Sequence, residues 1–125
     1  MCDARRAANW PSIMRVEDVL TLDRVLPVMK STGKRAALEE LARLIAGSRG
    51  AELRKEIERV LANRERLAST AIGEEVAIPH GKLDAIGSLV LGVGRSPRGL
   101  DFESVDGKLT RLFFVLVGPD RSTGD

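Results

Sequence analysis

Two stretches of the chain have the apolar spacing of amphipathic helices. The first begins after Ser31 or Thr32, either of which can cap a helix, and Gly47 is a natural stop for it. The second runs from about 51 to 66. The apolar stripes consist of Leu38, Leu41, Ala42 and Ile45 in the first helix and Leu53, Ile57, Val60 and Leu61 in the second. We therefore predict two helices that each bury one face against a core.

Shorter apolar runs in the second half of the chain predict strands. Residues 76–78 suit a short buried strand, which should stop at Pro79 because proline cannot donate to a strand ladder. The runs at 88–93 and 109–117 are dense enough for interior strands. Helices followed by interior strands indicate an α/β fold, in which a mixed sheet is flanked by helices on both sides.

The remaining segments are predicted to be edges and turns. Residues 25–29 predict a first strand that Pro27 places at a sheet edge, after a short helical turn at 16–20. Residues 95–99 and the dipeptide Asp106-Gly107 predict turns between strands. Residues 95–99 need carry no catalytic group.

One domain accounts for most of the chain. A length of 125 residues fits a single core. Residues 1–13 have neither a helical nor an alternating period, and we interpret them as a leader or tag-like extension. Residues 14–119 then form the domain, and residues 120–125 form a tail.

The composition excludes several classes of function. The 20 basic and 18 acidic residues are spread along the chain and leave a net charge of only +2, unlike the clustered basic face of a DNA-binding protein. Aromatic residues make up 3%, which leaves no stacking platform for single-stranded nucleic acid. Cys2 alone permits no internal disulfide, and no apolar run approaches the roughly 20 residues that span a membrane. We therefore predict a cytoplasmic protein with no nucleic-acid partner and no membrane insertion.

His80, the only histidine, is the first candidate for a functional role. It directly follows the predicted strand end, and Gly81 after it lets the backbone bend and bring its N–H close to a ligand. An imidazole at the rim of a sheet beside free backbone donors suits a phosphate site. The local pattern leaves open that His80 is a half-buried polar residue of the fold. One histidine and one cysteine are too few ligands for a zinc site, so we predict neither a metal nor a cofactor.

Arg64 is the second candidate. At about 100° per residue it falls within the arc of the apolar residues of the second helix, whereas Arg59 and Arg66 fall on the opposite side. An inward arginine usually has an anionic partner, because an unpaired buried guanidinium is costly. The helical pattern leaves three interpretations open: a bound phosphate, a structural salt bridge to Glu17 or Asp18, or a side chain that snorkels to solvent.

A longer segment around these two residues resembles a known family. Residues 69–83, with 63–67 before them, resemble the active-site signature of the IIA domains of the phosphoenolpyruvate-dependent sugar phosphotransferase system, fructose/mannitol type. Residues 77–83, Ala-Ile-Pro-His-Gly-Lys-Leu, are especially similar to the nitrogen-regulatory branch, and the general resemblance runs from about 16 to 119. The resemblance implies a three-layer α/β/α sandwich.

The resemblance also implies roles for individual residues. His80 would accept a phosphoryl group from a histidine phosphocarrier protein, and Arg64 would steady that group. Backbone N–H groups around Gly81 and the hydroxyls of Ser69 and Thr70 are further candidates for the phosphate loop. For the two hydroxyls, helix termination and loop closure are an equally good interpretation.

The chain departs from the family pattern at two places. The family has glycine where this chain has Ala71, and a Gly-x-Gly type loop where this chain has Gly73, Glu74 and Glu75. If either place needs a backbone angle open only to glycine, the loop must differ, and the two carboxylates would repel a nearby phosphate unless they point to solvent. We interpret both departures as lowering efficiency or tuning the choice of partner.

The resemblance further implies features that follow the last strand. Family domains continue there with helices that cover one face of the sheet, and many carry a second, helper histidine. Both are expected to be missing from this chain, so that apolar surface on that face is exposed or covered by a second copy of the protein.

We therefore predict a phosphocarrier, a relay component rather than an enzyme that converts a metabolite, with a regulatory output in nitrogen metabolism. Its partners would be the histidine phosphocarrier protein and either a regulated target or an EIIB-type acceptor. One alternative is a regulatory protein that binds its target whatever its phosphorylation state. Another is a hydrolase with His80 as general base, although Ser69 and Asp84 form no recognisable triad order with it. The pattern leaves open the final acceptor and the imidazole nitrogen that takes the phosphate.

Overall fold

The computed structural model describes Arg15 and residues 20–120 of the chain. Four predictions fall outside these residues: the leader at 1–13, all but the last residue of the helical turn at 16–20, the partners Glu17 and Asp18 of Arg64, and the tail beyond 120.

Two helices and six strands are formed within the described residues. The helices are α1 (Lys34–Ala46) and α2 (Ala51–Leu67), and short 3₁₀ turns occupy Leu22–Arg24 and Asp84–Ile86. The strands are β1 (Val25–Leu26), β2 (Ala71–Gly73), β3 (Val76–Ala77), β4 (His80–Lys82), β5 (Val90–Leu100) and β6 (Thr110–Gly118).

The six strands form one mixed sheet. Its order is β1-β5-β6-β3-β2, and β4 also pairs with β6. The pairs β5–β6 and β2–β3 are antiparallel, whereas β1 is parallel to β5 and both β3 and β4 are parallel to β6. β1 lies at an edge, as Pro27 predicted. The mixed sheet with its helices confirms the predicted α/β class.

Both helices lie where the apolar spacing predicts them. α1 buries its whole predicted stripe, while α2 buries Ile57 and Leu61 and leaves Leu53 and Val60 half-buried. Gly47 ends α1 with a φ of 58°, an angle that glycine adopts without strain. Helical periodicity therefore located both elements and their inner faces.

The predicted cap of α1 is wrong. The N-cap residue is Gly33, and neither Ser31 nor Thr32 caps the helix. The carboxylate of Glu40 draws the preceding loop toward the helix instead. It accepts hydrogen bonds from the backbone N–H groups of Lys30 and Ser31, at 2.9 Å and 3.1 Å, and from the Ser31 hydroxyl. The Ser31 side chain therefore bonds to a residue in the middle of the helix and not to the N–H groups at its start.

Two strand predictions are wrong in extent. β1 covers only the first two residues of the predicted 25–29. The predicted turn at 95–99 is part of β5, which runs without interruption from 90 to 100. Ser96 is buried between exposed neighbours, which is the alternation of a strand. Pro97 and Gly99 instead accompany an irregularity within the strand. The pairing register of β5 with β6 shifts between Arg95 and Leu100, and Gly99 has a φ of 78°.

The other strand predictions are confirmed to within one or two residues. β3 ends at Ala77, two residues before Pro79. β6 spans Thr110–Gly118 against the predicted 109–117. The predicted turn before it closes with a 3.0 Å hydrogen bond from the Gly107 N–H to the Ser104 carbonyl oxygen.

α1 and α2 pack together against one face of the sheet. A Cβ built on Gly92 of β5 would lie 3.1 Å from Cδ1 of Ile45 in α1 and 3.0 Å from Cγ1 of Val115 in β6. This face, with Val115 fully buried, therefore holds the main core. The second helical layer that the resemblance implies does not occur among the residues that the structure describes.

The opposite face of the sheet carries the alternate residues of β5 and β6. On it, Leu91 pairs with Leu116 and Val93 pairs with Phe114. Leu91 is buried, whereas Val93, Phe114 and Leu116 are half-buried. That this face is either exposed or covered by a second copy of the chain stays a prediction.

Candidate functional site

His80 opens strand β4 on the face of the sheet away from the helices. It pairs with Leu116 of β6, and Gly81 pairs with Val117. Successive residues of a strand point to opposite faces. Because Gly81 faces α2, the His80 side chain points to the other face, where it is exposed. The sequence predicted this histidine just after a strand end, and it in fact begins the next strand.

A backbone carbonyl holds the imidazole of His80. Its Nδ1 atom lies 2.8 Å from the carbonyl oxygen of Ile78. A carbonyl oxygen can only accept a hydrogen bond, so we assign the proton to Nδ1 from its bonding partner. Nε2 then keeps its lone pair. On an exposed side chain, that nitrogen is available as a nucleophile.

Gly81 is placed where a helix meets the strand. A Cβ on this residue would lie 2.9 Å from Cγ2 of Val60 in α2, a separation that real Cβ atoms do not tolerate. Close packing therefore accounts for the glycine at this position. The predicted contact of its N–H with a phosphate stays a prediction.

Arg64 lies on the helix face that meets β4, since it follows Val60 by one helical turn. The side chain is half-buried, and its Nη1 donates a 2.8 Å hydrogen bond to the carbonyl oxygen of Ala68 at the end of α2. Within Arg15 and residues 20–120, no carboxylate forms an ion pair with its guanidinium. Its positive charge is therefore available to an anion from outside this part of the chain.

The hydroxyls of Ser69 and Thr70 are bound to protein groups. The Ser69 hydroxyl donates to the carbonyl oxygen of Phe102 at 2.7 Å and accepts from the N–H of Ala71 at 3.1 Å. Thr70 is buried, and its hydroxyl donates to the carboxylate of Glu65. These bonds close the loop, which is the structural role that the sequence allowed for the two hydroxyls as the alternative to phosphate binding. A contact with phosphate stays a prediction and would require the bonds to be exchanged.

Glu65 and Lys34 belong to the same neighbourhood, and neither was predicted from the sequence. Glu65 is only 7% exposed, and Nζ of Lys34 lies 3.0 Å from its Oε1. A signal was present, because Ile57, Leu61 and Glu65 follow one another at intervals of four residues on one helix face. That spacing extends the buried stripe to the glutamate.

The two departures from the family pattern differ in their backbone. Ala71 is buried in β2 and is absent from the described non-glycine residues with positive φ, so alanine fits there without strain. Glu74 and Glu75 do occupy positive φ, at 56° and 69°, between β2 and β3. Positive φ at both central residues is the signature of a type I′ turn, which favours Asn-Gly. Each glutamate there costs roughly 1–2 kcal/mol.

This turn lies at the other end of β3 from His80. Val76, which follows the turn, pairs with Leu112, whereas His80 pairs with Leu116. At roughly 3.3 Å per residue, these two positions on β6 are about 13 Å apart. Glu74 and Glu75 are exposed, so their carboxylates are solvated at a distance from the histidine.

Arg15 and residues 20–120 contain no group of three or more His, Cys, Asp or Glu side chains arranged to hold a metal ion. None of the helices in this part of the chain is long and apolar enough to cross a membrane.

Comparison with known proteins identifies the family. The model of the phosphoenolpyruvate-dependent sugar phosphotransferase system, EIIA 2, matches residues 18–124. A nitrogen regulatory protein of Bradyrhizobium diazoefficiens is 39% identical over 112 residues, which cover 90% of this chain and 72% of that protein. The fructose-specific EIIABC component of Bacillus subtilis is 29% identical over 107 residues, 86% of this chain and 17% of that protein.

A solved structure shares the fold. The crystal structure of the nitrogen regulatory protein IIA-Ntr from Neisseria meningitidis matches with a TM-score of 0.78 at 29% identity, covering 87% of this chain and 74% of that one. The similarity of fold thus agrees with the sequence match. The chain belongs to the EIIA type 2 family of the phosphoenolpyruvate-dependent sugar phosphotransferase system.

Proposed function

We propose that the chain is a phosphocarrier of the phosphotransferase system that accepts a phosphoryl group on Nε2 of His80 from a histidine phosphocarrier protein. The observation that carries the proposal is the 2.8 Å hydrogen bond between Nδ1 of His80 and the Ile78 carbonyl oxygen. This bond leaves Nε2 as the ring nitrogen with a free lone pair, on an exposed side chain. A donor with phosphate on its own histidine can approach that nitrogen in line.

The transfer exchanges one nitrogen–phosphorus bond for another. Nε2 of His80 attacks phosphorus with its lone pair, the bond between phosphorus and the donor imidazole breaks, and its electron pair returns to the donor ring. Such a step needs alignment and charge stabilisation more than covalent help. The Nδ1 proton stays in its hydrogen bond to Ile78, whose carbonyl oxygen stabilises the positive charge of the phosphorylated ring.

Arg64 is proposed to bind the equatorial oxygens of the phosphoryl group, for which its side chain must reach past β4, because the His80 side chain points away from the helices. Its one described partner, the carbonyl oxygen of Ala68, is neutral, and a planar guanidinium can offer two donors to phosphate. Gly81 would contribute a backbone N–H. Ser69 and Thr70 would contribute hydroxyls only after releasing their present protein partners.

A regulatory output in nitrogen metabolism is proposed from the relatives. The Bradyrhizobium protein that matches 90% of this chain is a nitrogen regulatory protein, whereas the Bacillus relative belongs to a fructose-specific system. The downstream partner is therefore a regulated target protein or, if the output is a sugar, an EIIB-type acceptor. Phosphorylation of His80 would add negative charge to the exposed sheet face, which changes the surface that a target meets. A cytoplasmic location stays a prediction.

Intact-mass spectrometry tests the proposal. The chain would be incubated with phosphoenolpyruvate, the first enzyme of the system and its histidine phosphocarrier, beside a His80→Ala variant. We expect one added phosphoryl group that is lost in acid and survives in base, in the parent chain only. Because His80 is the only histidine, such an adduct has no other histidine as its source. NMR of the nitrogen-15-labelled adduct would then identify the modified nitrogen.

Lys82→Ala is the matched control, because Lys82 lies on the same short strand and takes no part in the proposed step. Circular dichroism should show that both variants are folded. An adduct that persists in folded His80→Ala, or that lies on Nδ1, would contradict the assignment. A folded parent chain that accepts no phosphate would leave a phosphorylation-independent binding protein as the better hypothesis.

A further inference from the structure

Glu65, the residue after Arg64, is a buried carboxylate that the proposed transfer does not use. Both of its oxygens lie 3.2 Å from the backbone N–H of Thr70, which donates to them, and the Thr70 hydroxyl donates to Oε2. Nζ of Lys34 lies 3.0 Å from Oε1. A buried carboxylate is stable only with partners of this kind. The contacts therefore join Thr70 firmly to the end of α2.

Lys34 remains charged beside this carboxylate. Its Nζ lies 3.0 Å from both Glu65 and Glu103, and 4.8 Å from the centre of the Phe102 ring. Burial lowers the pKa of Lys34, but the hydrogen bonds to the two glutamates and the attraction of their charges together outweigh burial and raise that pKa above its usual 10.5. At neutral pH the ammonium group thus faces Glu65.

Thr70 is bonded in turn to the residue that holds His80. The carbonyl oxygen of Thr70 accepts a hydrogen bond from the N–H of Ile78 at 2.9 Å. The carbonyl oxygen of Ile78 accepts the hydrogen bond from Nδ1 of His80 at 2.8 Å. A continuous path of contacts therefore runs from Lys34 through Glu65, Thr70 and Ile78 to the imidazole.

The Ile78 carbonyl has little freedom along this path. Pro79 restricts the residue before it to extended backbone angles. The carbonyl oxygen of Pro79 accepts a 3.0 Å hydrogen bond from the N–H of Leu116, which anchors the next peptide to β6. Thr70 anchors the other end of this segment. A shift of Thr70 would therefore turn the carbonyl that faces His80.

We propose that Glu65, held by Lys34, is a positioning residue that acts through Thr70 and Ile78 to keep His80 in its Nδ1–H tautomer, with Nε2 toward solvent. An effect of Glu65 on the rate of phosphoryl transfer rests on the proposed function. The tautomer of His80 can be measured in the unphosphorylated protein and does not depend on that function. A purely structural role for Glu65 would change stability and leave the tautomer unaltered.

Nitrogen-15 NMR of the histidine-labelled protein tests this, because long-range proton–nitrogen couplings report which ring nitrogen carries the proton. With the imidazole neutral, we expect the Nδ1–H form in the parent chain and a several-fold rise of the Nε2–H form in Glu65→Gln. Phosphoryl transfer in that variant should slow roughly ten- to hundredfold with little change in KM, by analogy with the outer partners that orient metal-binding histidines.

Glu103→Gln is the matched control, because Glu103 is the exposed partner of Lys34 and lies outside the path to His80. It should leave the tautomer unchanged. Thr70→Ser, which keeps the hydroxyl bonded to Glu65, should also leave the tautomer unchanged, whereas Thr70→Val should shift the tautomer in the same direction as Glu65→Gln. This pair of Thr70 variants provides the test if Glu65→Gln does not fold.

An unchanged tautomer in folded Glu65→Gln or in folded Thr70→Val would overturn the positioning role. The two proposals can fail separately. A parent chain that takes no phosphate, but whose tautomer shifts in these variants, would reject the proposed function and support the path from Glu65 to His80.

Discussion

Val60 fills the space that a side chain at Gly81 would need. A Cβ on Gly81 would lie 2.9 Å from Cγ2 and 3.2 Å from Cβ of Val60. Helix α2 therefore rests on the backbone of β4 one residue after His80. This contact couples the packing of the helix to the position of the histidine.

Gly81→Ala should lower the free energy of unfolding by roughly 1–3 kcal/mol, because the added methyl group must displace α2 or β4. Val60→Ala alone should cost about 1 kcal/mol by removing buried methyl groups. In the double variant the smaller residue makes room for the new methyl group. Urea unfolding of the four proteins should therefore give a combined loss smaller than the sum. Strictly additive losses would show that the two residues do not compete for space.

Replacing the Glu74-Glu75 turn with Asn-Gly should stabilise the protein. Both residues hold positive φ, which these two replacements adopt more readily. Because each glutamate costs roughly 1–2 kcal/mol and asparagine still incurs part of that cost, we expect a gross gain of about 2 kcal/mol. The loss of the half-exposed ion pair between Glu75 and Arg111, worth at most about 1 kcal/mol, reduces it only in part.

Thermal or urea unfolding measures that gain, and Glu39→Gly is its control. Glu39 lies exposed inside α1, so glycine there should cost about 1 kcal/mol instead of stabilising. A destabilised Asn-Gly variant would mean that the glutamate side chains contribute more than the backbone strain costs.

Asp106, which lies between β5 and β6, should make the stability of the folded protein depend on pH in acid. Its carboxylate accepts hydrogen bonds from the Ser104 hydroxyl and from the backbone N–H groups of Lys108 and Glu74, which lower the pKa of Asp106 from 3.8 to about 2. A lowered folded-state pKa gives stability that is present above the unfolded value and lost as the pH falls. The loss should therefore occur between about pH 4 and about pH 2.

Asp106→Asn removes this titration. Its urea unfolding curve should depend less on pH than that of the parent over the same range, and the stability difference between the two proteins should shrink toward pH 2. Equal pH dependence in both proteins would show that the Asp106 carboxylate is no more strongly bound in the folded state than in the unfolded one.

Arg64→Ala should slow phosphoryl transfer to His80 about a hundredfold, the usual loss when one donor to a transferring charge is removed. Stability should fall by only about 1 kcal/mol, since the described bond that is lost joins Nη1 to the carbonyl of Ala68. Arg66→Ala is the control, because Arg66 is exposed on the other side of α2. Rapid-quench measurement of transfer from the phosphorylated carrier compares the two. Equal rates would exclude Arg64 from the phosphate site.

The sequence by itself determined the elements whose signal is local. Helical stripes are set by residues three or four apart, so periodicity located α1 and α2 and the inward side of Arg64. Pro79 marked the break between β3 and His80, because proline has no N–H to donate to a strand ladder and this effect is local. The family motif added the candidate roles of His80 and Arg64.

Only the tertiary structure decided what depends on partners far apart in the chain. Pro97 and Gly99 indicate a turn locally, yet pairing with β6 keeps that segment within one long strand. The proton on Nδ1 of His80 follows from where the Ile78 carbonyl is held. The burial of Glu65 depends on Lys34, which lies on another helix. A pattern of residues reports which face is apolar, but hydrogen bonds and close contacts form only once the fold has chosen which faces meet.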